Sequence, residues 1–129
     1  MSRIAQEIRE SMFGFAVNGT GEPAAHFRFG ENFIGFQGHF PGQKVLPGVC
    51  QVQCVQTVLE TWKGKTVRLR EIVSAKYVLP VLPGDEIACR CLDVKEGTGL
   101  TSLRAVITRG DEKISDFRLK VILVPPEPA

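Results

Sequence analysis

The sequence has no long hydrophobic run and no strong charge of either sign. A membrane-spanning helix needs about 20 consecutive apolar residues, and the apolar stretches of this chain are much shorter. The formal net charge is only +2 at pH 7, whereas nucleic-acid-binding domains usually carry a concentrated basic face. We therefore expect a protein that binds neither nucleic acid nor membranes.

The first ten residues also lack the continuous apolar stretch of a secretory signal. They mix charged and apolar residues at helical spacing, which is typical of mature protein rather than of a cleaved leader. We expect the protein in the cytoplasm.

Cysteine is sparse and poorly placed for a metal site. Cys50 and Cys54 are one helical turn apart, and Cys89 and Cys91 share one face of a predicted strand. Structural zinc sites usually hold their cysteines on tight turns. Both pairs lie instead in apolar segments, where free cysteine behaves as a small hydrophobe. We expect no metal and no cofactor.

The 129 residues suffice for one domain. We predict a single domain over 1–124 and a frayed, proline-rich tail over 125–129. Apolar periodicity and turn signals predict one order of elements. It is a helix over 2–12, a hairpin of strands 13–17 and 24–29, a Gly- and Pro-rich loop over 38–48, a helix over 47–62, and strands over 67–79, 86–94, 101–108 and 113–123.

The helix over 47–62 is apolar on nearly every side. Its polar residues form one narrow stripe of Gln53, Gln56 and Glu60. A helix of this kind is buried, and a strongly curved antiparallel sheet would cover it on several sides. The sequence therefore predicts an α+β fold.

The loop before this helix contains His39 between two Pro-Gly units, Pro41-Gly42 and Pro47-Gly48. The first turn of the helix offers unpaired backbone N–H groups near Gly48 and Val49. A histidine facing such groups would be a base beside an oxyanion hole. The alternative is that His39 only forms hydrogen bonds within a rigid loop, and the spacing alone favours that alternative.

Residues 38–49 resemble the signature of β-hydroxyacyl-acyl-carrier-protein dehydratases of the FabA/FabZ type, G-H-F-P-x-x-P-V-M-P-G-V. Lys44 and Leu46 depart from it, and 75–86 resembles the family's F-x-x-P-V-x-P-G-D block. The matching positions of the signature are Gly38, His39, Phe40, Pro41, Val45, Pro47, Gly48 and Val49.

The resemblance implies a hot-dog fold, in which two protomers form acyl tunnels at their interface. It implies that His39 removes the C2 proton of a 3-hydroxyacyl thioester and that the amide of Gly48 polarises the thioester carbonyl. Phe40, Val45 and Val49 are the matching residues expected to bind substrate. The expected partners are an acyl-carrier-protein or coenzyme A thioester and a second copy of the chain, in a homodimer or a higher homo-oligomer.

The family places a carboxylate fourteen residues after the histidine, where this chain has Gln53. Glutamine holds a hydroxyl or a water by hydrogen bonds but does not donate a proton and recover it. Loss of a general acid or base costs roughly 10²–10⁴-fold in rate. Three functions stay open: a dehydratase that uses water or another carboxylate such as the distant Glu60, a thioesterase in which Gln53 orients water, and a non-catalytic acyl-binding or partner subunit.

A basic run follows the buried helix. Lys63, Lys65, Arg68 and Arg70 either form a solvated face, which the pattern alone favours, or dock an acidic carrier protein or a coenzyme A phosphate. His26 is expected at a surface or sheet edge, and Asp85 is expected to form a turn.

Overall fold

The computed structural model describes residues 2–37 and 43–125. Two helices and six strands account for most of them, and a single 3-10 turn spans Ile34–Phe36. The elements are α1 (Arg3–Glu10), β1 (Met12–Val17), β2 (Pro23–Arg28), α2 (Gly48–Lys63), β3 (Thr66–Tyr77), β4 (Glu86–Glu96), β5 (Thr101–Arg109) and β6 (Glu112–Val124).

All six strands belong to one antiparallel sheet in the order β1-β2-β4-β5-β6-β3. The strand β3, third along the chain, lies at one edge and β1 at the other. Helix α2 contacts β2, β3 and β4. This is the hot-dog arrangement, so the predicted α+β fold is confirmed.

The core fills the space between α2 and the curved sheet. Val55, Val58 and Leu59 on the helix are at most 1% exposed, and Phe27 and Phe117 on the sheet are fully buried. Burying a side chain of this size stabilises a fold by about 1.5–3 kcal/mol. The helix therefore depends on the sheet for its burial, and the sheet depends on the helix for its core.

Helix α2 agrees with the prediction to within one residue at each end. Pro47 is its N-cap rather than part of its first turn, with φ −63° and ψ 152°. Gly64 ends the helix in the left-handed conformation at φ 65°, and its N–H donates to the carbonyl of Glu60 at 2.8 Å. The left-handed region favours glycine because it has no Cβ.

Two expectations about the elements need correction. Met12 begins β1 instead of ending the first helix, which closes at Glu10 with Ser11 as its C-cap. In β3, Val67 is buried and the other eleven residues are exposed. The strand lies at the sheet edge, so its alternating pattern does not correspond to one buried face.

The four cysteines are free thiols buried in the core. Burial raises the pKa of the Cys54 thiol well above its usual range. Within residues 2–37 and 43–125, no group of three or more metal-ligating side chains is assembled. The same part of the chain has no helix long and apolar enough to span a membrane.

An ion pair on β5 and β6 predicts how stability changes in acid. Arg104 Nε and Nη2 donate to the Asp116 carboxylate at 3.0 and 2.6 Å, and Lys113 Nζ donates at 3.1 Å. These hydrogen bonds hold the pKa of Asp116 at about 2, below its usual 3.8. The stabilisation is therefore present above pH 4 and is lost as pH falls toward 2.

We expect Asp116→Asn to lower the free energy of unfolding by at most about 1 kcal/mol at pH 7, because solvent screens the pair. Thermal melts between pH 7 and 2 should show the wild-type advantage shrinking below pH 4. Asp111→Asn, at an exposed turn position, is the control and should show no such trend. A difference that stayed constant down to pH 2 would contradict this assignment.

Candidate functional site

A cavity of about 410 Å³ opens at the start of helix α2, and we call it the helix-start cavity. All of its lining residues except Gln51 come from the two stretches of sequence that resemble the dehydratase family. The backbone N–H of Leu46 in the first stretch donates to the carbonyl of Val81 in the second at 2.8 Å. The lining residues are Val45, Leu46, Pro47, Gly48, Gln51, Tyr77, Val78, Leu79 and Pro80.

Gly48 is the first residue of α2 and lines this cavity. The amides of Cys50 and Gln51 donate to the carbonyl of Pro47. Those of Gly48 and Val49 donate to no acceptor within the described residues. Free amides at a helix start attract a developing negative charge. The helix-start cavity therefore has donors suited to a polarised carbonyl oxygen.

The ring of Tyr77 lies directly against Gly48. A Cβ added to Gly48 would overlap the Tyr77 hydroxyl and would come within 2.7 Å of the ring carbon that carries it. Tyr77 also contacts Phe117 edge-to-face at 5.5 Å between ring centroids. Partial burial raises the pKa of the phenol above its usual value. Position 48 therefore accepts only glycine with this ring in place.

Gln53 lines a second cavity of about 580 Å³, which we call the helix-face cavity. This cavity lies among α1, α2 and the start of β3, and its charged lining residues are Arg9, Glu60 and Lys65. Both oxygens of Glu60 are engaged, one with Arg9 Nη2 at 2.9 Å and the other with the backbone N–H of Val67 at 2.9 Å. Glu60 is therefore a poor substitute for the missing carboxylate.

The single chain does not bring Gln53 and Gly48 into one cavity. Five residues along an α-helix correspond to a rotation of about 140° and a rise of about 7.5 Å. The two positions therefore face different sides of α2. Within the described residues, Gln53 and Gly48 therefore line two separate cavities.

The other predicted site residues have different positions. His39 and Phe40 fall outside the described residues. Val45 lines the helix-start cavity. Val49 does not line it and is 75% exposed, because it projects away from the core at the helix start. Val49 is thus an exception to the prediction that the apolar helix is buried.

Sequence reasoning did not single out Gln51 and Tyr77. Gln51 lies among apolar residues of the helix and is only 3% exposed. Its place three residues after Gly48, on nearly the same side of the helix, was the available signal. Tyr77 occupies the phenylalanine position of the second family block, and it is the only tyrosine of the chain.

The four side chains of the basic run have different surroundings. Lys63 Nζ lies 2.7 Å from a Glu96 oxygen, while Arg68 and Arg70 are exposed. Lys65 lines the helix-face cavity. The side chains of the run thus reach from the end of α2 along the edge strand.

The remaining two polar residues have the expected local roles. His26 lies on β2, where it stacks on Phe13 at 5.6 Å between ring centroids and its side chain is partly exposed. Asp85 closes its turn by accepting from the backbone N–H of Leu82 at 2.9 Å, and it also pairs with Arg109 at 2.7 Å.

Comparisons with known proteins agree on a family and a fold. Residues 18–115 match the model of the ApeI-like family, described as ApeI dehydratase. The 3-hydroxyacyl-[acyl-carrier-protein] dehydratase FabZ of Haemophilus influenzae (strain 86-028NP) is 33% identical over 92 residues. That match covers 65% of this chain and 62% of the relative, so the chain spans less than two thirds of that relative's length.

Solved structures share the fold at low sequence identity. The dehydratase heterocomplex ApeI:P from Xenorhabdus doucetiae superimposes with a TM-score of 0.69 at 22% identity, covering 86% of this chain and 96% of that one. A putative thioesterase, yhdA from Lactococcus lactis, gives a TM-score of 0.70 at 15% identity, covering 98% and 100%. A dehydratase and a putative thioesterase thus share this architecture.

The contact between Gly48 and Tyr77 yields a prediction. We expect Gly48→Ala to push the phenol toward water, because the added methyl group overlaps the ring. The pKa of the phenol should then fall toward its usual value. Tyr77 is the only tyrosine, so phenolate absorbance near 295 nm during a pH titration measures it directly.

Gly64→Ala serves as a control, since a Cβ there meets no atom within 4 Å. This variant should lose some stability because of the positive φ, while the phenol pKa should not change. An unchanged phenol titration in Gly48→Ala would show that Tyr77 does not rest on the helix start.

Proposed function

Because the chain belongs to the ApeI-like dehydratase family, we propose that it is a hydro-lyase acting on 3-hydroxyacyl thioesters. The reaction removes water across C2 and C3 and leaves a 2-enoyl thioester. The observation that carries this proposal is the helix-start cavity, where the amide of Gly48 meets an apolar pocket lined by both family blocks.

The pocket suits the thioester end of an acyl chain. Val45, Leu79 and Pro80 give it apolar walls, and at its helix edge lies the amide of Gly48, which has no acceptor within the described residues. A thioester carbonyl bound to the Gly48 amide would be polarised, and the C2 proton would become more acidic. The ring of Tyr77 beside Gly48 limits the access of water to that carbonyl.

The proposed reaction assigns roles to three residues of the motif. His39 takes the C2 proton, and the electron pair of that C–H bond forms the double bond to C3. The C3–O bond breaks, and the departing hydroxide takes up a proton and leaves as water. Phe40 and Val45 contact the acyl chain.

Gln53 stands where the family has a carboxylate, so the proposed reaction needs another way to protonate the departing hydroxide. An amide side chain both donates and accepts hydrogen bonds, so Gln53 is suited to hold the departing hydroxyl group or a water molecule beside it. That water passes to the departing hydroxide the proton that His39 removed from C2, so the hydroxide leaves as water and the imidazole returns to its neutral form. The helix-face cavity, with its polar residues Gln53 and Gln56, has room for this arrangement.

We further propose that the active unit is a homodimer joined at the β3 edge. This edge has no strand neighbour beyond β3 within the described chain, and its apolar side chains Leu69, Ile72 and Val73 are 39–49% exposed. A long edge strand with exposed apolar residues favours pairing with another strand. Such a dimer would also allow Gln53 of one protomer and Gly48 of the other to share a site.

The thioester carrier is proposed to be an acyl carrier protein or coenzyme A. Arg68 and Arg70 are exposed on β3, and the first two residues of that strand line the helix-face cavity together with Lys65. A basic rim of this kind attracts an acidic protein or a phosphate group and accelerates their encounter.

A second candidate function is a partner subunit without dehydratase activity of its own. The specific observation that favours it is Gln53, because a neutral amide is not a general acid. The similar Xenorhabdus doucetiae structure is described as a dehydratase heterocomplex. In this second proposal, the chain pairs with a different subunit that supplies the missing carboxylate. Hydrolysis of the thioester, with Gln53 orienting water, is the third alternative.

A hydration assay separates these functions. We expect the wild type to hydrate a short 2-enoyl thioester, monitored by loss of the enoyl absorbance, and His39→Ala to reduce the rate by about 10²–10⁴-fold. Gln53→Glu should raise the rate, because it restores a group that donates a proton. Free thiol, measured in the same samples, reports hydrolysis.

Gln56→Glu is the matched control, since it adds the same charge one turn further along the same cavity. Activity gained only in Gln53→Glu, from an inactive wild type, would favour the partner subunit. Thiol release by the wild type would favour a thioesterase. No hydration by any of these proteins would contradict the dehydratase proposal for this substrate class.

The dimer is tested by a charge placed on the β3 edge. We expect Val73→Glu to shift the mass in analytical ultracentrifugation from twice 14.2 kDa to the monomer value, because a buried unpaired carboxylate is costly. Val17→Glu is the matched control, since Val17 has similar exposure on the opposite edge strand β1. It should leave the dimer intact, whereas a monomeric wild type would contradict the proposal.

A further inference from the structure

Gln51 is a buried amide whose hydrogen bonds are incomplete. The residue is 3% exposed and lies on the first turns of α2. Its Nε2 donates to the backbone carbonyl of Leu46 at 3.5 Å. Its Oε1 is buried and accepts no hydrogen bond within the described residues. Buried polar atoms are rarely left without a partner, so this oxygen needs an explanation.

The orientation of the amide is fixed by its neighbour. The carbonyl of Leu46 only accepts hydrogen bonds, so the NH₂ group rather than the oxygen must face it. Oε1 therefore occupies the other corner of the amide. The hydrogen bond to Leu46 is long and weak, and the last torsion of glutamine is soft. A small rotation that brings Oε1 into the cavity therefore costs little.

The surroundings of Gln51 indicate what would bind to it. It lines the helix-start cavity together with Val45, Val78 and Leu79, which have no polar side-chain atoms. Gly48, one helical turn earlier, lines the same cavity. A group held at the Gly48 amide would therefore lie within a few bond lengths of Gln51, given a rise of about 4.5 Å over three residues.

We propose that Gln51 is a specificity-determining residue, whose Oε1 accepts a hydrogen bond from an O–H or N–H group of the bound thioester. Such a donor lies a few bonds from the thioester carbonyl on either side. One is the hydroxyl group of the acyl chain, and the other is the first amide of the carrier arm. This inference rests on the proposed function, because it takes the ligand of the helix-start cavity to be an acyl thioester.

A buried acceptor selects strongly against ligands that leave it unpaired. A ligand with a donor completes the hydrogen bonding of Gln51, whereas an all-apolar ligand covers Oε1 and leaves it without a partner. Sites built around a substrate hydroxyl or amide reject the analogue that lacks it far better than apolar pockets reject an extra methylene. The expected discrimination is roughly tenfold or more in Kd.

Four unreactive ligands test the proposal. They are hexanoyl and 3-hydroxyhexanoyl oxoesters, each made with N-acetylethanolamine and with 5-hydroxypentan-2-one, in which CH₂ replaces the N–H group. Oxoesters hold their C2 protons more tightly than thioesters, so these ligands persist during titration. Calorimetry or ligand-observed NMR then gives the Kd of each ligand for the wild type, Gln51→Met and Ser115→Ala.

Ser115→Ala is the matched control. Its Oγ is also buried and without a partner within the described residues, but Ser115 does not line the helix-start cavity. We expect at least one of the two donors, the 3-hydroxyl group or the amide N–H, to lower the wild-type Kd about tenfold. This difference in Kd should persist in Ser115→Ala and fall below about threefold in Gln51→Met. The donor responsible identifies which side of the thioester reaches Gln51.

Each other outcome overturns the proposal. Equal Kd values of the wild type for all four ligands would overturn it. This result needs no variant, so it holds even if Gln51→Met does not fold. A donor preference that persisted in folded Gln51→Met would assign the preference to another residue. Failure of all four ligands to bind, combined with no hydration activity, would contradict the proposed function itself rather than the role of Gln51 alone.

Discussion

The burial of helix α2 is the constraint on which the rest of the structure depends. The helix is apolar on nearly every side, and Cys54, Val55 and Val58 are completely buried. One flat sheet would cover only one side of such a helix, so the six-stranded sheet has to curve around it. Within the described part of the chain, this single curved layer leaves a cavity at the start of the helix and leaves β3 at a sheet edge with no further strand neighbour. The cavities and the exposed edge both follow from this geometry.

Two residues at the start of α2 place the backbone amides beside the cavity, each for a different structural reason. Pro47 supplies an extended conformation before the helix without requiring a hydrogen bond for its nitrogen. Gly48 then gives the closest possible approach to the ring of Tyr77. A larger residue at position 48 would displace either the ring or the helix. The free amides are therefore held beside the apolar cavity by the same packing that closes the core.

The sequence was sufficient for the elements and for the fold class, because those depend on local periodicity and turn residues. All six strands and both helices were predicted with small errors at their ends. The site was less predictable. That Val49 projects outward while Gln51 is buried depends on how α2 is rotated against the sheet, which periodicity does not specify for a helix apolar on most sides. The separation of Gln53 from Gly48 depends on the same rotation.

The charges around Gln53 would suit a carboxylate at that position as well as the amide. The helix-face cavity has two cations, Arg9 and Lys65, and one carboxylate, Glu60, which is already bonded to Arg9. A carboxylate at position 53 would therefore balance Lys65 rather than add unpaired negative charge. Had Arg9 or Lys65 been replaced, a neutral glutamine at position 53 would have kept the charge of the cavity balanced. Both cations are present, so charge balance does not explain the glutamine. The difference between glutamine and glutamate here is thus one of proton transfer, and the chemistry of the site depends on where the departing hydroxyl obtains its proton.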